Sequence, residues 1–415
     1  MTVAQRAAEP QRQTVPVTIR AACGSAIAAY PARRDARAVR VRSIDVLRGL
    51  AVALMVIDHV RVFAGVPAGG ATPGVFFTRW VTHYCAPAFV FLAGTSAYLH
   101  GRAHRDLPRF LLVRGLWLVA LELTVVRLAW TFNLDFGGHA MAGVLWVLGG
   151  SMIALAALTR LPAWAVGALG LAIIAGHNLF DGRLAALDGP VAWWWKLLYV
   201  GFYAGPIELG AGGPRVQVLY SLVPWVGVMA AGYAFGAILT HPRRDRWAVA
   251  IGAGAIALFA ILRALDGYGD PRPWSASPKP GYLAFIDTTK YPASLDFLLM
   301  TLGPMLVAVP LAERARGAIA GWLATLGRVP LFFYLLHLPL VHALAIAVAG
   351  LRDGAVDPWL FTNHPMANPP PPPGYAWSLP LLYVVAAVAL VLLTLACRRY
   401  ADYKQRHADG WLRYL

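Results

Sequence analysis

The chain has 415 residues, 59% of them hydrophobic and only 13% charged, with a formal net charge of +16. A soluble domain carries about 25% charged residues, so the composition excludes an ordinary water-soluble fold. The positive charge does not point to nucleic acid either. Arginines concentrate in short connections between apolar runs, and no basic stripe interleaved with aromatics is present.

In chain order, residues 1–42 are polar, Arg-rich and Pro-containing, and the weakly apolar stretch 21–30 lacks leucine. They read as a flexible cytoplasmic tail rather than a signal peptide. Apolar runs follow at 44–66, 80–100, 109–131, 139–158 and 162–179, then at 219–240, 246–264, 294–312, 322–349 and 377–398. Each approaches the roughly 20 residues that a helix needs to cross hydrocarbon, which predicts an all-α transmembrane bundle of about ten spans. The transmembrane domain is expected over 43–400, with 401–415 as a C-terminal tail.

Arginine placement orients this layout. Short connections holding Arg102, Arg105 and Arg109, then Arg160, then Arg243, Arg244 and Arg246 fall on one face. Longer connections rich in Gly, Pro and Asn fall on the other, so both termini are expected in the cytoplasm. The Trp193-Trp194-Trp195 segment fits an interfacial element better than a span. The Pro369–Pro373 run reads as an extended connector. Cys23, Cys85 and Cys397 are too scattered for a disulfide framework or a metal site, and no cluster calls for a metal ion.

Within the first span, Arg48 follows Asp45 by one turn. That spacing allows an i,i+3 ion pair or, alternatively, a phosphate contact for a cytosolic anionic donor. Asp58 and His59 lie deep in the same apolar run, where ionisable groups usually face a bundle interior or a watery cavity. Adjacent on a helix, they point about 100° apart. Asp58 either supports a histidine or pairs with Arg61 or Arg127. His59 suits a general base near neutral pH.

His83 opens the second span toward the same side as His59, as a second catalytic imidazole or as an interfacial histidine bonded to a carbonyl. Glu122, mid-span in the third run, is expected to form an ion pair with Arg127. Arg328 and His337 repeat the pattern of the first span, with an arginine at one mouth and a histidine deeper in.

The runs Ser43-Ile44-Asp45-Val46-Leu47-Arg48-Gly49 and Phe89-Val90-Phe91-Leu92-Ala93-Gly94-Thr95-Ser96 resemble the catalytic domain of heparan-alpha-glucosaminide N-acetyltransferase, especially its bacterial membrane branch. Leu326-Gly327-Arg328 through His337 is similar to the last block of that family and of other membrane acyltransferases. The resemblance is dense over about 42–115 and returns at about 322–345. It implies a multi-pass enzyme of the bacterial inner membrane that moves an acetyl group from cytosolic acetyl-CoA to a sugar amine or hydroxyl on the far side.

Arg48, Arg102 and Arg328, with His337 deeper in, would then bind the donor. His59 or His83 would be the general base, supported by Asp58. The chain departs from the eukaryotic pattern in one respect. No histidine occurs between His59 and His83, where that enzyme has a loop histidine, and His59 takes the position of an asparagine. The bilayer and a glycan acceptor are the expected partners, and a homodimer is allowed. The alternative is a polar-solute transporter or flippase in which Asp58, His59, Glu122 and His337 relay protons.

Overall fold

A computed structural model describes residues 41–70, 72–181, 190–201, 205–367 and 369–407. The expected N-terminal tail, except Val41 and Arg42, lies outside the described residues, as do Cys23 and the last part of the C-terminal tail. The described chain is mostly helical. Helix α1 runs Arg42–Phe63, α2 Pro73–Trp80 and α3 Cys85–Ala103, the last entered through a 3-10 turn, Val81–Tyr84. Next, α4 (Leu107–Leu121) passes through a π-helical turn at Glu122–Val126 into α5 (Arg127–Thr131).

Strand β1 (His139–Ala142) precedes α6 (Val144–Leu158), α7 (Ala163–Gly176) and the short α8 (Pro190–Trp195). Strands β2 (Ile207–Glu208) and β3 (Arg215–Val218) lead into α9 (Leu222–Leu239) and α10 (Arg244–Leu265). The remainder is α11 (Gly281–Ile286), α12 (Leu295–Arg314), α13 (Ala318–Arg328), α14 (Pro330–Asp353), α15 (His364–Ala367) and α16 (Leu379–Arg406).

Among the described residues, six helical stretches are long and apolar enough to cross a membrane: Ala163–Phe180, Leu222–Leu239, Arg244–Leu265, Leu295–Arg314, Pro330–Asp353 and Leu379–Lys404. With 22 residues α1 matches α10 in length, but it carries Arg42, Asp45, Arg48, Asp58 and Arg61. A helix leaves its first N–H groups without intrahelical partners. In α1 the Ser43 N–H donates to Glu313 Oε2 of α12 at 2.7 Å, which also places a carboxylate at the positive end of the helix.

Two of the expected spans are redrawn. Residues 139–143 are not helical: β1 pairs in parallel with β3, His139 opposite Arg215, and β2 closes the sheet antiparallel. Short residues and Gly143 give no apolar helical stripe there, so the helix starts at Val144. The run 322–349 is two helices. Pro330 has no N–H to give and disfavours helical backbone at the residue before it, and Val329 sits at φ −129°, ψ 50°. The helix α16 also continues to Arg406, past the expected start of a tail.

Small residues set the closest approaches. A Cβ at Gly49 would lie 1.9 Å from the Leu323 carbonyl oxygen, and one at Gly327 would lie 1.8 Å from that of Asp45, so α1 and α13 cross backbone to backbone. Gly94 meets the Met229 carbonyl and Gly232 meets that of Phe91 in the same way, which clamps α3 on α9. Thr95 Oγ1 reinforces this contact by donating to the Gly232 carbonyl at 2.9 Å.

Candidate functional site

Two cavities lie toward opposite ends of α1. The smaller, of about 240 Å³, has apolar walls from α4, α6 and α14, with Arg48, Ser96, His100 and Arg114 as its polar lining. The larger, of about 570 Å³, is lined by Asp58, His59, Arg79, His83, Lys290 and Tyr291 among others. Tyr334 and Val144 line both. Arg48 and His59 are eleven positions apart on one helix, or about 16 Å of rise.

Helix α1 presents His59 to the larger cavity, and α14 brings His337 behind it. His59 Nδ1 and His337 Nε2 are 2.5 Å apart. His337 Nδ1 is 2.6 Å from the Tyr334 carbonyl, which can only accept, so that nitrogen carries the proton. His337 Nε2 is then the acceptor and His59 Nδ1–H the donor. The tautomers follow from the partners. They leave His59 Nε2 as a lone pair, with no hydrogen-bond partner among the described residues. His337 is fully buried, and Trp130 packs edge-on against the His59 ring at 4.9 Å.

Asp58 turns away from this pair. It accepts from Arg61 Nε at 3.0 Å and from Arg79 Nη1 at 2.5 Å, with all three side chains largely buried. Arg61 also donates to the Val66 carbonyl, and Arg79 to the Tyr291 hydroxyl at 3.4 Å. Asp58 therefore makes no hydrogen bond to His59; it fastens α2 to α1. Burial opposes the Arg79 charge, but Asp58 and Tyr291 more than offset that and hold its pKa above the ordinary range. For the Tyr291 phenol, burial pushes upward while Lys290 and Arg79 pull further downward, so its pKa is lowered.

His83 is buried beside Phe297, with ring centroids 5.5 Å apart, and its Nδ1 has no partner among the described residues. It lines the same cavity as His59, yet the imidazole that meets His59 is His337. The expected donor set is not gathered. Arg48 lines the smaller cavity, where it donates to the Leu92 carbonyl and Ser96 Oγ at 2.9 and 2.8 Å. Arg102 and Arg328 are exposed and line neither cavity, and His337 does not line the smaller one. Arg114 shares the lining of the smaller cavity with Arg48 instead. Its only signal in the sequence is a lone arginine inside an apolar run.

The expected Glu122–Arg127 ion pair is absent as well. Glu122 Oε2 accepts from the N–H groups of Leu145 and Trp146 and so caps α6, whose first residue, Val144, walls both cavities. Arg127 instead ties together the connections around Asn133, Asp135 and Asn363. Among the described residues, no group of three or more His, Cys, Asp or Glu side chains is placed to hold a metal ion.

The profile of the heparan-alpha-glucosaminide N-acetyltransferase catalytic family matches residues 40–264, more than half of the chain. The chain belongs to this family. A comparison with curated proteins returned no match. The match to the N-acetyltransferase family spans α1 to α10, so it includes Arg48, Asp58, His59, His83, Arg102 and Arg114. The α14 residues Tyr334 and His337 and the connection carrying Lys290 lie beyond it. Membership in this family and the apolar helices together make the chain a multi-pass membrane protein of acetyltransferase type.

Proposed function

We propose that the protein is a transmembrane acyltransferase that takes an acetyl or similar acyl group from cytosolic acyl-CoA and delivers it to an extracytoplasmic sugar or glycan amine or hydroxyl. The observation that carries this reading is the His59–His337 pair, set beside the Tyr334 wall between an arginine-lined cavity and a larger polar one. Crossings by α1, α3, α4–α5, α6, α7, α9, α10, α12, α14 and α16, with both termini in the cytoplasm, would put Arg48 and Arg114 on the donor side. His59 would then face the acceptor. A bacterial inner membrane suits that orientation.

Arg48 and Arg114 supply positive charge for the CoA phosphates, and the apolar walls suit the pantetheine arm. The acceptor N–H or O–H gives its proton to His59 Nε2 as its heteroatom attacks the thioester carbon. The imidazolium charge spreads into the His337 ring through the 2.5 Å hydrogen bond. The C–S bond breaks as the new C–N or C–O bond forms, and the CoA thiolate takes the proton from His59. In a ping-pong route the same lone pair would attack first and carry the acyl group. His83 is a second imidazole on the acceptor side.

The transporter reading expects broken helices meeting near the midplane. The break at Val329 is followed by a 24-residue helix, long enough to cross alone, and does not favour that class. Acetyl-CoA binding and CoA release by purified protein in nanodiscs test the proposal. Wild type should bind saturably, Arg48→Ala more weakly, and His59→Gln should bind normally but release CoA to acceptor on the order of 10²–10⁴-fold more slowly. No CoA binding by wild type would end the acyltransferase reading.

A further inference from the structure

Five cations line the larger cavity, Arg61, Arg79, Arg272, Lys279 and Lys290, against the two carboxylates of Asp58 and Asp287. Asp58 is taken by Arg61 and Arg79, and Asp287 by Lys279. Arg272 is exposed and donates to Thr289 Oγ1. Lys290 differs from all of these. It is only 7% exposed, yet its ammonium has no hydrogen bond and no ion pair among the described residues. Its near neighbours are two aromatic faces, with Nζ 5.9 Å from the Tyr220 centroid and 5.3 Å from that of Tyr291.

A largely buried lysine whose ammonium contacts no carboxylate is costly, since Asp58 and Tyr291 act on it only from beyond ion-pair distance and cation–π contacts recover only part of the cost. Lys290 nevertheless lines a cavity large enough for a sugar, walled by Tyr220, Tyr291, Trp80 and Trp359. Aromatic faces of this kind offer apolar area to a sugar ring with polar edges nearby. The missing partner is then an anion that arrives with a ligand. We propose that Lys290 marks a subsite for an acid group, a carboxylate or phosphate, carried by the sugar that occupies the larger cavity. Naming that sugar the acyl acceptor rests on the function proposed above; the subsite itself does not.

The test therefore omits acyl-CoA. Tryptophan fluorescence of the full chain in nanodiscs, reported by Trp80, Trp130 and Trp359 in the cavity wall, is titrated with glucuronate, glucose 6-phosphate, glucose and inorganic phosphate. The two sugar acids should saturate at concentrations at least tenfold below glucose and below inorganic phosphate. Lys290→Met should remove that preference, whereas Lys290→Arg should keep most of it. Because the ammonium makes no ion pair or hydrogen bond among the described residues, Lys290→Met should melt within a few degrees of the wild-type temperature.

Equal binding of glucose and its acids, or a preference that survives Lys290→Met, overturns the subsite. Inorganic phosphate binding as well as glucose 6-phosphate removes the sugar from the assignment. A large loss of thermal stability in Lys290→Met shows a structural partner and overturns it too. Absence of acetyl transfer in a separate assay strikes the proposed function and leaves this result standing.

Discussion

His59 and His337 are 278 positions apart in the chain and meet nitrogen to nitrogen at 2.5 Å. The Tyr334 carbonyl fixes the direction of the whole chain of hydrogen bonds, because a carbonyl accepts only. A pair built this way behaves as one base. Replacing either ring by glutamine should lower turnover on the order of 10²–10⁴-fold, the usual worth of a positioned proton-transfer group. The double variant should be hardly worse than either single one, since residues that act as a unit are not additive. Single-turnover CoA release measures this, and losses that multiply would show two independent roles.

Asp58 makes a contrasting prediction. Removing it leaves Arg61 and Arg79 facing each other, both largely buried. Breaking one partner out of a buried ion network costs about 3–5 kcal/mol. Asp58→Ala should therefore lower the melting temperature sharply in detergent, and Asp58→Ala with Arg79→Met should recover part of the loss. Were Asp58 a support for His59 instead, its removal would change turnover and spare stability.

The crossing of α1 and α13 gives a third test. A methyl at Gly327 would sit 1.8 Å from the Asp45 carbonyl oxygen, so Gly327→Ala must push the two helices apart. Overpacking of this kind costs about 1–3 kcal/mol. Because α1 carries both Arg48 and His59, turnover should fall together with stability. Gly321→Ala, with nothing within 4 Å of the added carbon, is the control and should change neither. A Gly327→Ala protein as stable and active as this control would deny the crossing its role.

Much of the fold was legible because long apolar runs punctuated by arginine have few other meanings. The apolar run that begins at 44 forms α1 from Arg42, and the run 246–264 forms α10 over Arg244–Leu265. The failures are local or long-range in origin. Pro330 was a visible signal, and the break at Val329 follows from it. Residues 139–142 became a strand only because 215–218 pairs with them, which no local pattern announces. The same holds for the site. His59, His83 and Asp58 stood out as ionisable groups in apolar surroundings and do line one cavity. Their partners, His337 for His59 and Arg79 for Asp58, come from distant helices. Lys290 sits in a polar connection, and nothing local in the sequence marks it, because its burial is wholly tertiary.

Tyr334 supplies the last prediction. Its side chain stands in the wall shared by the two cavities, while its backbone carbonyl holds His337. Tyr334→Ala removes the first function and keeps the second, so the histidine pair should survive the change. Water from the larger cavity would then reach the donor thioester beside an intact base. Acetyl-CoA hydrolysis without acceptor should rise severalfold, while transfer per CoA consumed falls. CoA release measured with and without acceptor separates the two. If hydrolysis stays at the wild-type level and transfer is unchanged, the thioester does not cross at this wall, and the path between the cavities must run elsewhere in the bundle.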